Sequence, residues 1–234
     1  MRDLLLRVRS VRKATPSSSV VCVDLDGASF PYRAGQVASL RPEGPGDRIP
    51  YSIASAPEET AADSTIQFLI KLDSGGRWGD HFEPLQRGSR LCVRGPSGSF
   101  VFPETPAERR FLFIAGGTGI APLRSMIRHA VLSGRPGRMA LLYSARTPRD
   151  FAYLPELRRM ARRGELQLAT TATREMPQRW RGARGRIAAE QLTPLVDSPE
   201  TLCFVCGPAS MVSDVPPMLQ ALGIDRTRIL LEDW

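Results

Sequence analysis

The run Phe111-Leu112-Phe113-Ile114-Ala115, followed at once by Gly116-Gly117-Thr118-Gly119-Ile120-Ala121-Pro122, constrains the fold more than any other part of this 234-residue chain. An apolar run ending in a glycine turn reads as a buried strand that delivers a turn to a helix. The helix is marked by Leu123, Met126, Ile127, Ala130 and Val131 on one face, with Pro122 suited to its opening residue. Glycines let the backbone bend and approach an anion, and a helix start offers unpaired N–H groups with about half a positive charge. A dinucleotide phosphate is the ligand such a turn suits. The spacing departs from Gly-x-Gly-x-x-Gly, because Pro122 takes the third glycine's place counted from Gly117.

The pattern of the chain changes near residue 105. Before it, short extended segments at 19–25, 36–40, 65–72 and 90–94, with an edge strand around 8–12, are separated by Gly, Pro and Ser turns without intervening helices. That spacing predicts an antiparallel barrel or sandwich. From residue 110 onward, strand candidates at 111–115, 139–144, 166–171, 201–206 and 228–232 alternate with helical stretches, the mark of a parallel sheet. A second helix is expected over 150–162, with Phe151, Leu154, Leu157 and Ala161 inward. A third, after Pro208, is expected to break or kink at Pro216-Pro217. Two domains follow, 1–105 and 106–234, joined through the polar, proline-bearing stretch 103–109.

Hydrophobic residues make up 42% of the chain and charged residues 24%, which argues against disorder and against a coiled coil. No apolar stretch approaches the roughly 18 residues that span a bilayer. The Arg- and Ser-rich N-terminus reads as a strand rather than a targeting helix, so a cytoplasmic protein is expected. Cys203 and Cys206 lie within the apolar run 202–206, with no second Cys pair or His nearby, so burial is expected there and no metal site. The four cysteines also leave no plant-type iron–sulfur cluster. A net charge of +8, from 32 basic and 24 acidic residues, favours acidic partners. Nucleic acid has no support, because zinc-finger spacing, RNP aromatics and a basic reading helix are all missing from the sequence.

Arg48-Ile49-Pro50-Tyr51-Ser52-Ile53-Ala54-Ser55 resembles the Arg-x-Tyr-Ser flavin motif of the ferredoxin-NADP reductase family. Three further stretches resemble that family in the same order. Gly95-Pro96-Ser97-Gly98-Ser99-Phe100 is similar to the turn ending its barrel. Gly117-Thr118-Gly119 with Pro122 is similar to its nicotinamide nucleotide loop, and Cys206-Gly207-Pro208 with Met211 to its nicotinamide-side motif. The resemblance covers almost the whole chain. It implies an N-terminal antiparallel Greek-key β-barrel that binds FAD, followed by a Rossmann-like parallel-sheet α/β domain that binds NADP(H).

The resemblance also implies residue roles. Tyr51 packs against the isoalloxazine and the Ser52 hydroxyl lies near flavin N5. Glu232 resembles a catalytic glutamate and, with Ser52 and Cys206, lines the hydride-transfer site. Trp234 resembles a terminal aromatic that covers the flavin face as a gate displaced by NADPH. Ile70, Leu72, Arg77, Trp78 and Gly79 complete the expected FAD set. Two departures stand out. Arg48 lies three residues before Tyr51, with Ile49 in the usual place, so a bulge is needed to bring it to the pyrophosphate. Gly79 stands where the family usually has Ser or Thr, which leaves Arg77 to supply that phosphate contact, while Trp78 stacks on adenine or fills a cleft.

The choice of nicotinamide rests on Tyr143-Ser144-Ala145-Arg146-Thr147, where an NAD site would place a carboxylate. None stands there, and Asp150 is read as a helix N-cap. Arg146 and Arg174, with Arg184 as a third, resemble 2′-phosphate ligands, which favours NADPH. The function implied is an FAD-dependent oxidoreductase that moves electrons between NADPH and a one-electron carrier such as an acidic ferredoxin or flavodoxin. The alternatives are an NADH-using flavin reductase or oxygenase reductase component, and a non-catalytic FAD-binding electron-transfer subunit. The acceptor, the direction of flow and the oligomeric state are not written in the sequence.

Overall fold

Alternating apolar and polar residues in the first hundred positions fold into strands β1 (Arg2–Thr15), β2 (Ser18–Asp24), β3 (Val37–Pro42), β4 (Ile49–Ser52), β5 (Thr65–Lys71) and β6 (Arg90–Ser97). The computed structural model describes residues 2–72, 84–134, 137–174 and 177–233; Arg77, Trp78, Gly79 and Trp234 lie outside the described residues. The strands form one antiparallel sheet in the order β4-β3-β6-β1-β2-β5. Its two ends meet through an Ile53–Phe68 bridge and a 2.8 Å bond from Ala54 N–H to Gln67 C=O, which closes the barrel. Val21, Val23, Leu40, Ile66, Phe68, Leu91 and Val93 fill the interior. β1 serves both β6 and β2, and its register shift between Val8 and Ser10 lets it bend from one partner to the other.

One helix was not expected in this half. α1 (Pro57–Asp63) stands between β4 and β5, with Pro57 at its first position and Ser64 in a left-handed cap at φ 53°. Its sequence, Pro-Glu-Glu-Thr-Ala-Ala-Asp, carries no apolar period because only Thr60 is buried.

The second half contains β7 (Arg110–Gly116), α2 (Ile120–Leu132), β8 (Arg138–Ala145), α3 (Leu154–Arg162), β9 (Gln167–Ala172), β10 (Ala183–Arg184), α4 (Ala189–Leu192), β11 (Leu202–Gly207), α5 (Ala209–Ala221) and β12 (Ile229–Asp233). The six strands are parallel, in the order β10-β9-β8-β7-β11-β12. Both faces of the central strands are buried, which is why β7 and β11 read as unbroken apolar runs. Leu112, Ile114, Cys203 and Val205 pack with Val215, Leu219 and Ile224 on one face. On the other face Phe113 stacks on Phe204, with centroids 5.3 Å apart and planes 14° apart.

The chain forms two compact units, Met1–Phe102 with Arg124–Ser133, and Pro103–Leu123 with Gly134–Trp234. Three local expectations need correction. Pro122 is the third residue of α2 rather than the first, because a 3-10 turn over Gly117–Gly119 precedes the helix. The second helix starts later than expected: a 3-10 turn at Pro148–Asp150 comes first, and Tyr153 at φ 58° sets the start of α3. α5 runs through Pro216 and Pro217 without a break. The prolines remove donors to the carbonyls of Val212 and Ser213, in a turn that water reaches, while buried Val215, Pro216 and Leu219 hold the inner face. Among the described residues, no helix is long and apolar enough to cross a membrane.

Candidate functional site

From β7 the chain builds outward to β8, β9 and β10, then returns to place β11 on the other side of β7. The carboxyl ends of β7 and β11 therefore flank the switch point of the sheet, where open α/β folds bind ligands. Both strands end in glycine. A Cβ on Gly119 would collide with the carbonyl oxygen of Cys206, and one on Gly116 would lie 2.7 Å from Pro208 Cδ and 2.8 Å from Met211 Cε. A Cβ on Gly207 would lie 2.8 Å from Met211 Sδ. Gly117, Thr118, Gly119, Gly207, Pro208 and Met211 thus belong to two turns packed together around missing side chains. Bare backbone at the start of the 13-residue α2 fits a dinucleotide phosphate.

Three arginines stand at the ends of the neighbouring strands. Arg146 follows β8, Arg174 follows β9, and Arg184 closes β10; all three are exposed. Arg174 N–H donates to Arg146 C=O at 2.8 Å, joining the first two loops. Asp150 does not act as the N-cap. Thr147 takes that place, and Asp150 Oδ2 accepts from its N–H at 2.9 Å and from its hydroxyl at 2.8 Å. The nearby carboxylate is thereby committed to the turn.

Cys206 and Glu232 are register partners at the ends of β11 and β12. The Cys206 thiol donates to Glu232 Oε2 at 3.9 Å. Burial, reinforced by the Glu232 carboxylate, holds this thiol well above the usual range, so it stays protonated. Cys203 points to the opposite face, into the core, where burial pushes it up to about 12. Three residues apart on a strand, the two sulfurs face away from each other. No cluster with metal-ligating composition occurs among the described residues.

In the barrel, Tyr51 is half-buried against the apolar core and Ser52 pairs with Val37. The expected bulge is not present. Register runs unbroken from Val37–Ser52 to Leu40–Ile49, so Ile49 shares the side of Tyr51. Arg48 is drawn instead to Asp3, 45 residues away in the chain. Its Nη2 donates to both carboxylate oxygens of Asp3, at 3.0 and 2.9 Å, and Asp3 also accepts from Arg94. Those guanidiniums hold the Asp3 carboxyl below its usual range. Arg48 Nη1 is buried without a hydrogen-bond partner, and an orphaned guanidinium donor fits a phosphate oxygen. Ile70 is fully buried inside the barrel, so its side chain packs the core; Leu72 is buried as well.

Tyr143 was missed by the sequence reading because a strand tyrosine looks like core. It is fully buried, yet its O–H donates to Gly117 C=O at 2.9 Å and its oxygen accepts from Ala152 N–H at 3.1 Å. Burial raises its phenol far above the usual range, which keeps the donor proton in place. Tyr143→Phe removes both bonds from a fully buried site and is expected to cost about 1–3 kcal/mol, read by urea unfolding. An unchanged midpoint would show that the turn holds its shape without the phenol.

Comparison with known proteins agrees with this fold. The family model of the oxidoreductase FAD-binding domain matches residues 6–102, and that of the oxidoreductase NAD-binding domain matches residues 113–216. Ferredoxin–NADP reductase B of Sorangium cellulosum is 33% identical over 220 residues, covering 89% of this chain and 88% of that one. The glycine betaine monooxygenase reductase subunit of Pseudomonas aeruginosa is 33% identical over 205 residues, covering 85% of this chain, which spans only 55% of that longer protein. The crystal structure of an Amycolatopsis cytochrome P450 reductase superposes with a TM-score of 0.85 at 25% identity, covering 99% of this chain and 69% of that one. With a closed antiparallel barrel, a parallel sheet glycine-lined at its switch point, and a relative alike over nearly its whole length, the chain belongs to the ferredoxin–NADP reductase family of oxidoreductases that bind FAD and a nicotinamide dinucleotide.

Proposed function

We propose that this chain exchanges electrons between NADPH and a one-electron protein carrier of the ferredoxin or flavodoxin type. The observation that carries the preference for NADPH is the trio of exposed arginines, Arg146, Arg174 and Arg184, at three neighbouring strand ends, with Asp150 diverted into a capping turn. FAD, when bound, supplies the conversion between two-electron and one-electron chemistry. The glycine turns at Gly116–Gly119 and Gly207 take the pyrophosphate, while Cys206 holds its proton beside Glu232. Ser52, Cys206, Glu232 and Trp234 are our choice for the hydride-transfer site, and Arg48, Tyr51, Arg77, Trp78 and Gly79 for FAD. A net charge of +8 supports an acidic carrier, and the cytoplasm is the compartment we assign.

The test compares kcat/KM for NADPH and NADH on the FAD-loaded protein and on an Arg146→Ala/Arg174→Ala variant. The variant is expected to lose about a hundredfold with NADPH, at about 1.5 kcal/mol for each charge-assisted contact, and little with NADH. A wild-type preference for NADH would instead favour an oxygenase reductase component, the reading motivated by the glycine betaine monooxygenase relative. Failure of NADPH to bleach the bound flavin would leave the non-catalytic subunit.

A further inference from the structure

The pyrophosphate turn and the three arginines are held by different loops, so a 2′-phosphate is selected only if the distance between them is fixed. β10 is a weak support for its part. It is two residues long, with Ala183 opposite Thr171 and Arg184 opposite Ala172, and just beyond it Gly185 N–H donates to Ala172 C=O at 2.9 Å while Thr171 Oγ1 donates to Gly185 C=O at 2.7 Å. A column of aromatic rings links it to the turn. Tyr143, bonded to Gly117 C=O, meets Phe151 edge-on at 4.9 Å and 89°. Phe151 stacks on Trp180 at 5.5 Å and 17°. The Trp180 indole N–H donates to Ala183 C=O at 3.0 Å, one residue before Arg184. Gly182 completes the fit: a Cβ there would collide with the Trp180 ring and lie 2.7 Å from Thr170 C=O, so the segment is pressed against β9.

We propose that Phe151 and Trp180 are specificity-determining positioning residues, which through this column place the β10 segment and Arg184 relative to the pyrophosphate turn and so set the selection of a 2′-phosphorylated dinucleotide. The proposal rests on the reading of Arg146, Arg174 and Arg184 given above. Neither ring touches the phosphate; both act by restricting where a short, exposed segment can sit. Arg179 and Arg181, on either side of Trp180, are exposed, so the tryptophan is the anchored point of an otherwise cationic loop.

Isothermal titration of the FAD-loaded protein with 2′,5′-ADP and with 5′-AMP reads this directly, independent of turnover. Trp180→Ala is expected to weaken 2′,5′-ADP about tenfold while 5′-AMP changes less than about twofold, and Trp180→Phe to recover most of the loss. Phe151→Leu, which keeps an apolar side chain beneath the indole, is expected to move the same ratio in the same direction by less, so the test does not depend on one variant folding. Equal weakening of both ligands, or of neither, overturns the proposal. An Arg146→Ala/Arg174→Ala/Arg184→Ala variant separates the two levels. If it binds 2′,5′-ADP normally, the NADPH reading falls and this inference with it. If it loses 2′,5′-ADP while Trp180→Ala does not, this inference alone is overturned.

Discussion

Glu59→Gln is expected to cost about 3–5 kcal/mol of folding stability, the loss seen when one partner of a buried ion pair is removed and the other is left behind. In the first compact unit the Arg124 side chain is 7% exposed and that of Glu59 17%. Arg124 Nη1 and Nη2 donate to the two oxygens of Glu59 at 3.0 and 3.2 Å, Arg128 Nε adds a bond at 2.8 Å, and Ala56 N–H another at 2.9 Å. Burial by itself would raise the Glu59 carboxyl. Arg124, the Ala56 N–H and Arg128 outweigh it and hold the group below the usual carboxylate range. A depressed folded value means that the stabilisation is present above the unfolded carboxyl's range and is lost as pH falls through the folded one. Urea unfolding of wild type and variant should therefore differ most at neutral pH and converge in acid. A gap that stayed constant into acid would show that the charge of Glu59 is not what stabilises. Glu59→Leu/Arg124→Met, which removes the Glu59–Arg124 pair together, is expected to recover part of that loss.

The same cluster borders the residues proposed to hold FAD. Arg124 Nη1 also donates to Ala54 C=O at 2.6 Å, two residues beyond Ser52, and Ser125 Oγ donates to Ser55 C=O at 2.7 Å. Loss of Glu59 removes two of the bonds that orient the guanidinium against Ala54 C=O.

What the sequence revealed and concealed divides along the range of the interactions. β7, β8 and β11 were legible because a parallel strand buried on both faces is apolar at every position, and the glycine turn was legible because close backbone approach excludes every larger residue. α1 was concealed because seven residues with one buried side chain carry no period. The prolines of α5 misled because propensity describes an isolated helix, whereas Val215 and Leu219 are held by the sheet. Arg48 shows the limit most clearly. Its position in the motif is local information, but its partner, Asp3, is 45 residues away, and nothing in either neighbourhood announces the pair. The Tyr143-Phe151-Trp180 column is concealed for the same reason.

Gly119→Ala is expected to abolish most nicotinamide-dependent flavin reduction while leaving FAD content unchanged. Gly119 does not have a positive φ, so alanine suffers no backbone strain there. The obstacle is space. The added Cβ would collide with the Cys206 carbonyl oxygen and lie 2.7 Å from its carbon and 3.0 Å from Gly207 N. These are backbone atoms of β11, pinned between β7 at Cys206–Ala115 and β12 at Cys206–Glu232, and cannot swing aside as a side chain can. The turn must lift instead, at about 1–3 kcal/mol of overpacking. A displacement of about 1 Å in a substrate-positioning loop lowers rate by about a hundredfold, and kcat/KM for NADPH should fall by that order. Photoreduction of the bound flavin, which bypasses the nicotinamide, should be unaffected. Gly116→Ala supplies the contrast, because the nearest atoms to its Cβ would be side-chain atoms, Pro208 Cδ in a rigid ring and Met211 Cε, which can rotate away. Its loss should be smaller than that of Gly119→Ala. Equal losses, or an unaffected Gly119→Ala, would show that the two strand ends do not form the nucleotide cradle.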